Sequence, residues 1–140
     1  MKLLLPTILF TLLIQQAHAA VEPATVPAKV IQVKDGDTIQ VKAEPWPGIE
    51  PKTSIRLARI DTPEMNGKCD KEVALAVKAK KYVERIITDR VTLKDVRYGK
   101  YAGRHIGEII TEKGVNLSDA LIKKGYARKY DGGKRKGWCA

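Results

Sequence analysis

The chain has 140 residues, of which 26 are Lys or Arg and 16 are Asp or Glu. This length suffices for one domain and is too short for two. The net charge of +10 favours an anionic partner such as nucleic acid, anionic lipid or polysaccharide. Residues 3–14 form an apolar run that is too short to span a bilayer.

The N-terminal stretch has the features of a secretory signal peptide. Lys2 precedes the apolar run, and Ala17-His18-Ala19 is a small-x-small cleavage site. We therefore expect residues 1–19 to be removed on export to the periplasm or the cell exterior, with an uncleaved membrane anchor as the alternative. Residues 20–28 are predicted to be a linker, and the folded domain is predicted at residues 29–140.

Alternating and amphipathic patterns predict five short strands and two helices in the rest of the chain. The Asp35-Gly36 pair predicts a hairpin between the first two strands. Asp70 is the expected cap of the first helix, and Asn116 or Ser118 that of the second. The predicted strands are 28–33, 38–42, 53–60, 90–96 and 105–111, and the predicted helices are 70–87 and 117–124.

This order of elements predicts a mainly β, α+β fold. Five short strands, with one helix after the third and another after the fifth, fit a five-stranded Greek-key barrel of OB type with two to three helices. An α+β sandwich is the alternative. OB barrels commonly bind oligonucleotides on one face, but an analogy of fold does not by itself define a function.

Oxygen ligands are concentrated where the third predicted strand ends. Asp61, Thr62 and Glu64 follow this strand, and Asp37 follows the predicted hairpin turn. If the barrel closes, Asp37 and Asp61 could meet at one end of it. Two carboxylates with a backbone carbonyl and waters form a hard-cation site, which suits Ca²⁺ rather than zinc.

Two arginines complete this candidate site. Arg56 lies on the third strand and Arg104 ends a basic loop. The planar guanidinium group matches the geometry of phosphate oxygens, and Glu64 remains as a general base or as a residue that orients water. Together these residues predict a phosphodiesterase site. A surface ion pair at a strand end is the alternative, since structural ion pairs resemble functional sites.

Three segments resemble the signatures of the thermonuclease, or staphylococcal nuclease-like, family. They are residues 35–38, 56–64 and 101–104, and the resemblance extends from about residue 30 to about residue 130. Residues 130–138, which are followed by Cys139, resemble the exported bacterial branch of this family. The family has an OB-fold barrel with helices, and its members are Ca²⁺-dependent nucleases that leave 3′-phosphate ends on DNA and RNA. The chain departs from the family at Ala102, which is inserted into the usual Tyr-Gly-Arg sequence.

The resemblance implies a role for each matching residue. Asp37 and Asp61 would bind Ca²⁺ through their side chains, and Thr62 through its backbone carbonyl. The other implied residues are Arg56 and Arg104 as ligands of the scissile phosphate, Glu64 as general base, Asp35 as a supporting acidic residue, and Tyr101 and Tyr130 as candidate substrate contacts.

The two cysteines, Cys69 and Cys139, are expected to pair. An even number of cysteines in an exported chain indicates a disulfide. The resemblance to the exported branch of the family implies this same bridge, which would connect the loop after Glu64 to the C-terminus.

The leading hypothesis is an exported, monomeric Ca²⁺-dependent nuclease without base specificity and without a stable protein partner. Its substrates would be DNA and RNA, with single-stranded or frayed regions favoured. One alternative is a non-catalytic OB-fold nucleic-acid-binding protein, although such domains typically lose the carboxylates and arginines that are present here. A second alternative is a basic adhesin or polyanion-binding module, which explains the charge but not the complete set of arginines and carboxylates.

Overall fold

The computed structural model describes residues 24–100 and 103–140. The expected signal peptide, the candidate residue Tyr101 and the inserted Ala102 lie outside this part of the chain. The strands are β1 (Thr25–Val33), β2 (Thr38–Ala43), β3 (Lys52–Leu57), β4 (Ile60–Asp61), β5 (Arg90–Tyr98), β6 (Arg104–Thr111) and β7 (Arg128–Lys129), and the helices are α1 (Asp70–Ile86) and α2 (Leu117–Lys124).

Five of the strands close into a barrel in the order β1-β2-β3-β6-β5. Strands β3 and β6 are parallel, and the other neighbouring strands are antiparallel. Strand β1 has a bulge between Val30 and Gln32, and such bulges bend a strand and increase its twist. The fold is therefore the predicted OB-type barrel of the α+β class, with two helices, and the sandwich alternative is wrong.

The core fills the barrel and extends to both helices. Alternate residues of the barrel strands point inward, and each fully buried Leu or Ile stabilises the fold by about 1.5–3 kcal/mol. Helices α1 and α2 add their apolar faces to this core. The completely or almost completely buried residues include Ile39, Val41, Ile55, Leu57, Leu93, Ile109, Ala79, Val83, Leu117 and Leu121.

The first strand begins earlier than the sequence pattern indicated. Thr25 pairs with Lys94 and Ala28 pairs with Val91, so β1 already forms a ladder with β5 at residues 25–28. Residues 25–27 were predicted to belong to a linker, and that prediction is wrong for them. Pro27 is compatible with the strand because its missing N–H removes only one hydrogen bond at a strand margin.

The predicted third strand is divided into two strands. Strand β3 ends at Leu57, and Arg59 has a φ of 59°, which is the left-handed region. Few L-residues adopt this conformation, and it interrupts a β-ladder. Strand β4 then pairs with β7 instead of the barrel, with Asp61 opposite Arg128. This change of partner turns Asp61 and the residues after it toward the C-terminal tail.

The predicted N-cap of α2 is confirmed, whereas that of α1 is wrong. The N-cap of α1 is Cys69 rather than Asp70, and no side chain caps this helix. Asp70 is instead in the first turn, where a negative charge interacts favourably with the helix dipole. Asn116 caps α2, because its side-chain oxygen accepts hydrogen bonds from the backbone N–H groups of Ser118 and Asp119.

A disulfide joins the start of α1 to the C-terminal tail. Cys69 and Cys139 are bonded, with their Cα atoms 6.0 Å apart, as the sequence predicted. Neither helix in the described part of the chain combines the length and apolar character of a membrane span.

Candidate active site

The turn between β1 and β2 places Asp37 next to Arg56. The backbone N–H of Leu57 donates to the carbonyl of Asp37 at 2.8 Å, and Thr38 is opposite Arg56 in the sheet. Arg56 Nη2 consequently lies 2.7 Å from Asp37 Oδ2. The Thr38 hydroxyl donates to Asp37 Oδ1 at 2.9 Å.

The carboxyl group of Asp37 is almost completely buried, with 3% of the residue exposed. Burial raises the pKa of Asp37 from 3.8 to about 6, although Arg56 beside it acts in the opposite direction. Asp35 raises the pKa further by its negative charge, and its side chain accepts a hydrogen bond from the Asp37 N–H at 3.3 Å. The negative charge of Asp37 is therefore only partly compensated by the protein.

Asp61 is the second buried carboxylate of the site. Only 4% of it is exposed, and Thr62 next to it is 3% exposed. The indole Nε1 of Trp138 donates to Asp61 Oδ2 at 3.1 Å. This hydrogen bond orients the carboxylate and leaves Oδ1 on the side of Arg135.

Arg135 of the tail connects Asp61 to Glu64. Its Nε lies 3.1 Å from Asp61 Oδ1, and its Nη1 donates to Glu64 Oε1 at 2.6 Å. Burial lowers the pKa of Arg135, but the hydrogen bond with Glu64 and the charges of Asp61, Glu64 and Asp37 raise it overall. Because the guanidinium interacts with Asp37 and Asp61 together, the two buried carboxylates belong to one charge cluster.

Arg104 lines an open cleft of about 390 Å³ together with Arg56. It is opposite Ser54 in the parallel pairing of β3 and β6. The cleft is also lined by Asp35, Thr38, Glu64, Gly99, Lys100, Ile106 and Arg135. Three guanidinium groups and a lysine around one cleft create a positive surface that suits an anionic ligand.

The buried oxygens of the two aspartates fit a hard cation. Asp37 Oδ2 and Asp61 Oδ1 are each near a guanidinium, yet neither accepts a hydrogen bond of good geometry from the described residues. Buried carboxylate oxygens are normally hydrogen-bonded or bound to a cation. Oxygen donors of this kind are preferred by Ca²⁺ over zinc, so the residues present fit the expected metal.

Of the two candidate tyrosines, Tyr130 belongs to the described part of the chain. Tyr130 is near the site: its backbone N–H donates to the Arg59 carbonyl at 3.0 Å, and its ring lies 5.9 Å from the Arg135 guanidinium. Its hydroxyl donates to the Gly133 carbonyl at 2.7 Å. Tyr101 lies outside the described residues.

The buried carboxylate of Glu72 was not recognised as part of the site from the sequence. It accepts hydrogen bonds from the backbone N–H groups of Glu64 and Lys68, at 3.3 and 3.0 Å. Gly67 is required beside it, since a Cβ there would lie 2.5 Å from Glu72 Cγ. Glu72 thus fixes the loop that contains Glu64 against the start of α1.

Trp138 and Arg135 were also missed, because they contact the site from more than 70 positions away in the chain. One signal could have located them. The predicted Cys69–Cys139 pairing requires residues 135–138 to lie near the loop after Glu64, which is where the structure places them.

The fold and the site define a class of protein: a small OB barrel with buried carboxylates next to two arginines that line an open cleft. Comparison with known proteins agrees with this class. Residues 54–137 match the family described as staphylococcal nuclease homologue, and this chain belongs to that family. The chain is also 33% identical over 109 residues to Endonuclease YhcR of Bacillus subtilis (strain 168). This alignment covers 72% of the chain and 9% of that relative.

Proposed function

We propose that this protein is a Ca²⁺-dependent nuclease that hydrolyses phosphodiester bonds of DNA and RNA and leaves 3′-phosphate ends. The observation that supports this most strongly is the pair of buried aspartate oxygens without hydrogen bonds, next to Arg56 and the positive cleft. Membership of the nuclease family and the similarity to an endonuclease support the same function.

The cation would be held by the side chains of Asp37 and Asp61 and the backbone carbonyl of Thr62. Bound there, Ca²⁺ would neutralise the phosphate and stabilise negative charge on its oxygens during hydrolysis. Asp35 supports this group through its hydrogen bond with the Asp37 backbone.

The protein's own side chains would position the phosphodiester and the water. Arg56 and Arg104, which both line the cleft, would donate to the non-bridging phosphate oxygens. Glu64, which is half-exposed at the edge of this cleft, would accept a proton from the attacking water or orient it. The water oxygen would form a bond to phosphorus while the bond between phosphorus and the 5′ oxygen breaks. The phosphate would then remain on the 3′ oxygen, and the 5′ oxygen would take up a proton from solvent.

The substrates we propose are single-stranded or frayed DNA and RNA without base specificity. Contacts to phosphate do not distinguish one base from another, and the site consists mainly of such contacts. Tyr130, whose ring lies beside the Arg135 guanidinium, is the candidate for stacking on a base. We further propose that the protein is exported through residues 1–19, acts in the periplasm or outside the cell, and is monomeric.

The experiment is cleavage of labelled single-stranded DNA, duplex DNA and RNA by the chain that begins at Ala20, with calcium and with excess chelator. We expect cleavage of all three in calcium, fastest on single strands, with 3′-phosphate ends. An Arg104→Ala variant should lose most activity, whereas Arg85→Ala, which removes an exposed arginine of α1, should retain it. Binding of DNA without cleavage in calcium would favour the non-catalytic alternative.

A further inference from the structure

Arg135 lies at the boundary between two clefts. One is the cleft of about 390 Å³ that contains Arg56 and Arg104. The other, of about 460 Å³, lies between the loop after Asp61 and the C-terminal tail. Among the residues that the structure describes, only Arg135 and Glu64 line both clefts. Arg135 therefore lines the same cleft as the two arginines, and its guanidinium also contacts the buried Asp61.

The tail that contains Arg135 is fixed by several contacts around Trp138. Trp138 is buried and donates to Asp61. The guanidinium of Arg128 stacks on the Trp138 ring at 3.6 Å and also donates to the Gly137 carbonyl at 2.9 Å. The disulfide at Cys139 follows directly. Arg135 is therefore positioned by a built structure and is not an arginine of a loosely held terminus.

The formal charges of the groups around the site show what Arg135 contributes. The cluster contains four carboxylates (Asp35, Asp37, Asp61 and Glu64), three guanidinium groups (Arg56, Arg104 and Arg135) and the ammonium group of Lys100. With a divalent cation and one phosphodiester bound, its net charge would be +1, whereas without Arg135 it would be zero. Since hydrolysis adds negative charge to the phosphoryl oxygens, the positive charge of Arg135 favours the reacting state.

We propose that Arg135 is a third phosphate-binding arginine of this site, contributed by the disulfide-linked tail. This inference rests on the proposed nuclease function. In the metal-free protein Arg135 serves as the counter-ion of Asp61 Oδ1; when a cation binds that oxygen, the guanidinium keeps Glu64 and donates to the phosphodiester. The alternative is a purely structural role, in which Arg135 forms permanent ion pairs that hold the tail against Asp61 and Glu64.

The test uses two dinucleotide probes that differ in charge. One has a phosphorothioate linkage, used in the diastereomer that resists cleavage in a preliminary assay, and the other has a neutral methylphosphonate linkage. Their affinities are measured by calorimetry in calcium for the wild type, Arg135→Gln and Arg135→Lys. Lys136→Gln is the matched control, because it removes the same charge from the adjacent exposed residue of the same tail.

We expect Arg135→Gln to weaken binding of the phosphorothioate probe by about tenfold, the usual loss for one charge-assisted hydrogen bond. Arg135→Lys should recover part of this loss, and Lys136→Gln should bind like the wild type. The neutral probe should bind all four proteins within about twofold of one another, since it lacks the anionic group that Arg135 would recognise. Calcium alone should bind Arg135→Gln at least as tightly as the wild type, because a competing cation has been removed.

Equal affinity of Arg135→Gln and wild type for the phosphorothioate probe would overturn the inference. An equal loss for the charged and the neutral probe, or weaker calcium binding by the variant, would assign Arg135 a structural role and overturn it too. Failure of the nuclease function itself is seen separately, as a folded wild type that does not cleave DNA in calcium.

Discussion

At the scale of single residues, two carboxylates of the site have opposite environments. Asp37 is buried beside Arg56, whereas Glu64 is half-exposed and bonded to Arg135. A buried carboxylate without a full set of partners destabilises the metal-free fold, while an exposed one has little effect on stability. Substitutions at these two positions should therefore affect different measurable properties.

Asp37→Asn should stabilise the metal-free protein at neutral pH. The folded protein binds the Asp37 proton more tightly than the unfolded chain does, because its pKa is about 6 instead of 3.8. The stabilisation that comes from this tighter proton binding is fully present below pH 3.8 and is lost as the pH rises through about 6. In chelator, the difference in unfolding free energy between variant and wild type should grow over this interval to roughly 2–3 kcal/mol, measured by urea titration. A constant difference across this range would contradict the prediction.

Glu64→Gln should lower the turnover number by about 10²–10⁴-fold, because the amide cannot accept a proton from water. The free energy of unfolding should change by less than about 1 kcal/mol, since the ion pair with Arg135 is partly exposed. Glu84→Gln, which removes a carboxylate from an exposed α1 ion pair, is the control for the charge. Steady-state kinetics and thermal unfolding of both variants test this prediction, and turnover within a few-fold of wild type would exclude Glu64 as the base.

At the scale of elements, helix α1 contacts the β1–β2 turn directly behind the site. A Cβ on Gly36 would lie 2.9 Å from Ala79 Cβ of α1 and 3.7 Å from Thr62 Cβ. Gly36 is the residue before Asp37, so this contact determines how closely the turn that contains Asp37 approaches the helix.

Gly36→Ala should consequently destabilise the protein by about 1–3 kcal/mol through overpacking. It should also weaken calcium binding, because Asp37 moves with the turn. Gly137→Ala is the control, since its Cβ would have no neighbour within 4 Å. Chemical denaturation and calorimetric titration with calcium measure the two effects, and a Gly36→Ala protein as stable as the wild type would contradict this packing argument.

Much of the element level could be predicted from the sequence. Alternation and helical spacing depend on neighbours within one element, and they identified the five barrel strands and both helices. The break at Arg59 could not be predicted, because the local pattern of residues 53–60 does not show that β4 pairs with β7 instead of the barrel. The early start of β1 likewise depends on a distant strand, β5.

At the scale of the whole molecule, the C-terminal tail completes the site that the barrel begins. The sequence motifs included Asp37, Arg56, Asp61, Glu64 and Arg104, and the structure brings these residues together around connected clefts. The contacts of the tail with Asp61 and Glu64 have no local signature in the sequence. The tail itself is joined to the fold by the Cys69–Cys139 disulfide.

Replacing both cysteines by serine should lower the free energy of unfolding by about 4.4 kcal/mol, as the chain-entropy treatment gives for a loop of this length. The bridged residues are 70 positions apart. Reductant should have the same effect on the wild type and none on the double-serine variant. Equal melting temperatures of the oxidised and reduced wild type would contradict this stabilising role.

The most direct measurement of the central claim is the rate of single-stranded DNA cleavage across a calcium titration, for the wild type and Asp61→Asn. The wild-type rate should rise to saturation with calcium and fall to background in chelator. Asp61→Asn, which lacks one proposed ligand carboxylate, should need far more calcium or remain inactive. Cleavage that persists in chelator, or a folded wild type that is inactive at saturating calcium, would contradict a calcium-dependent nuclease.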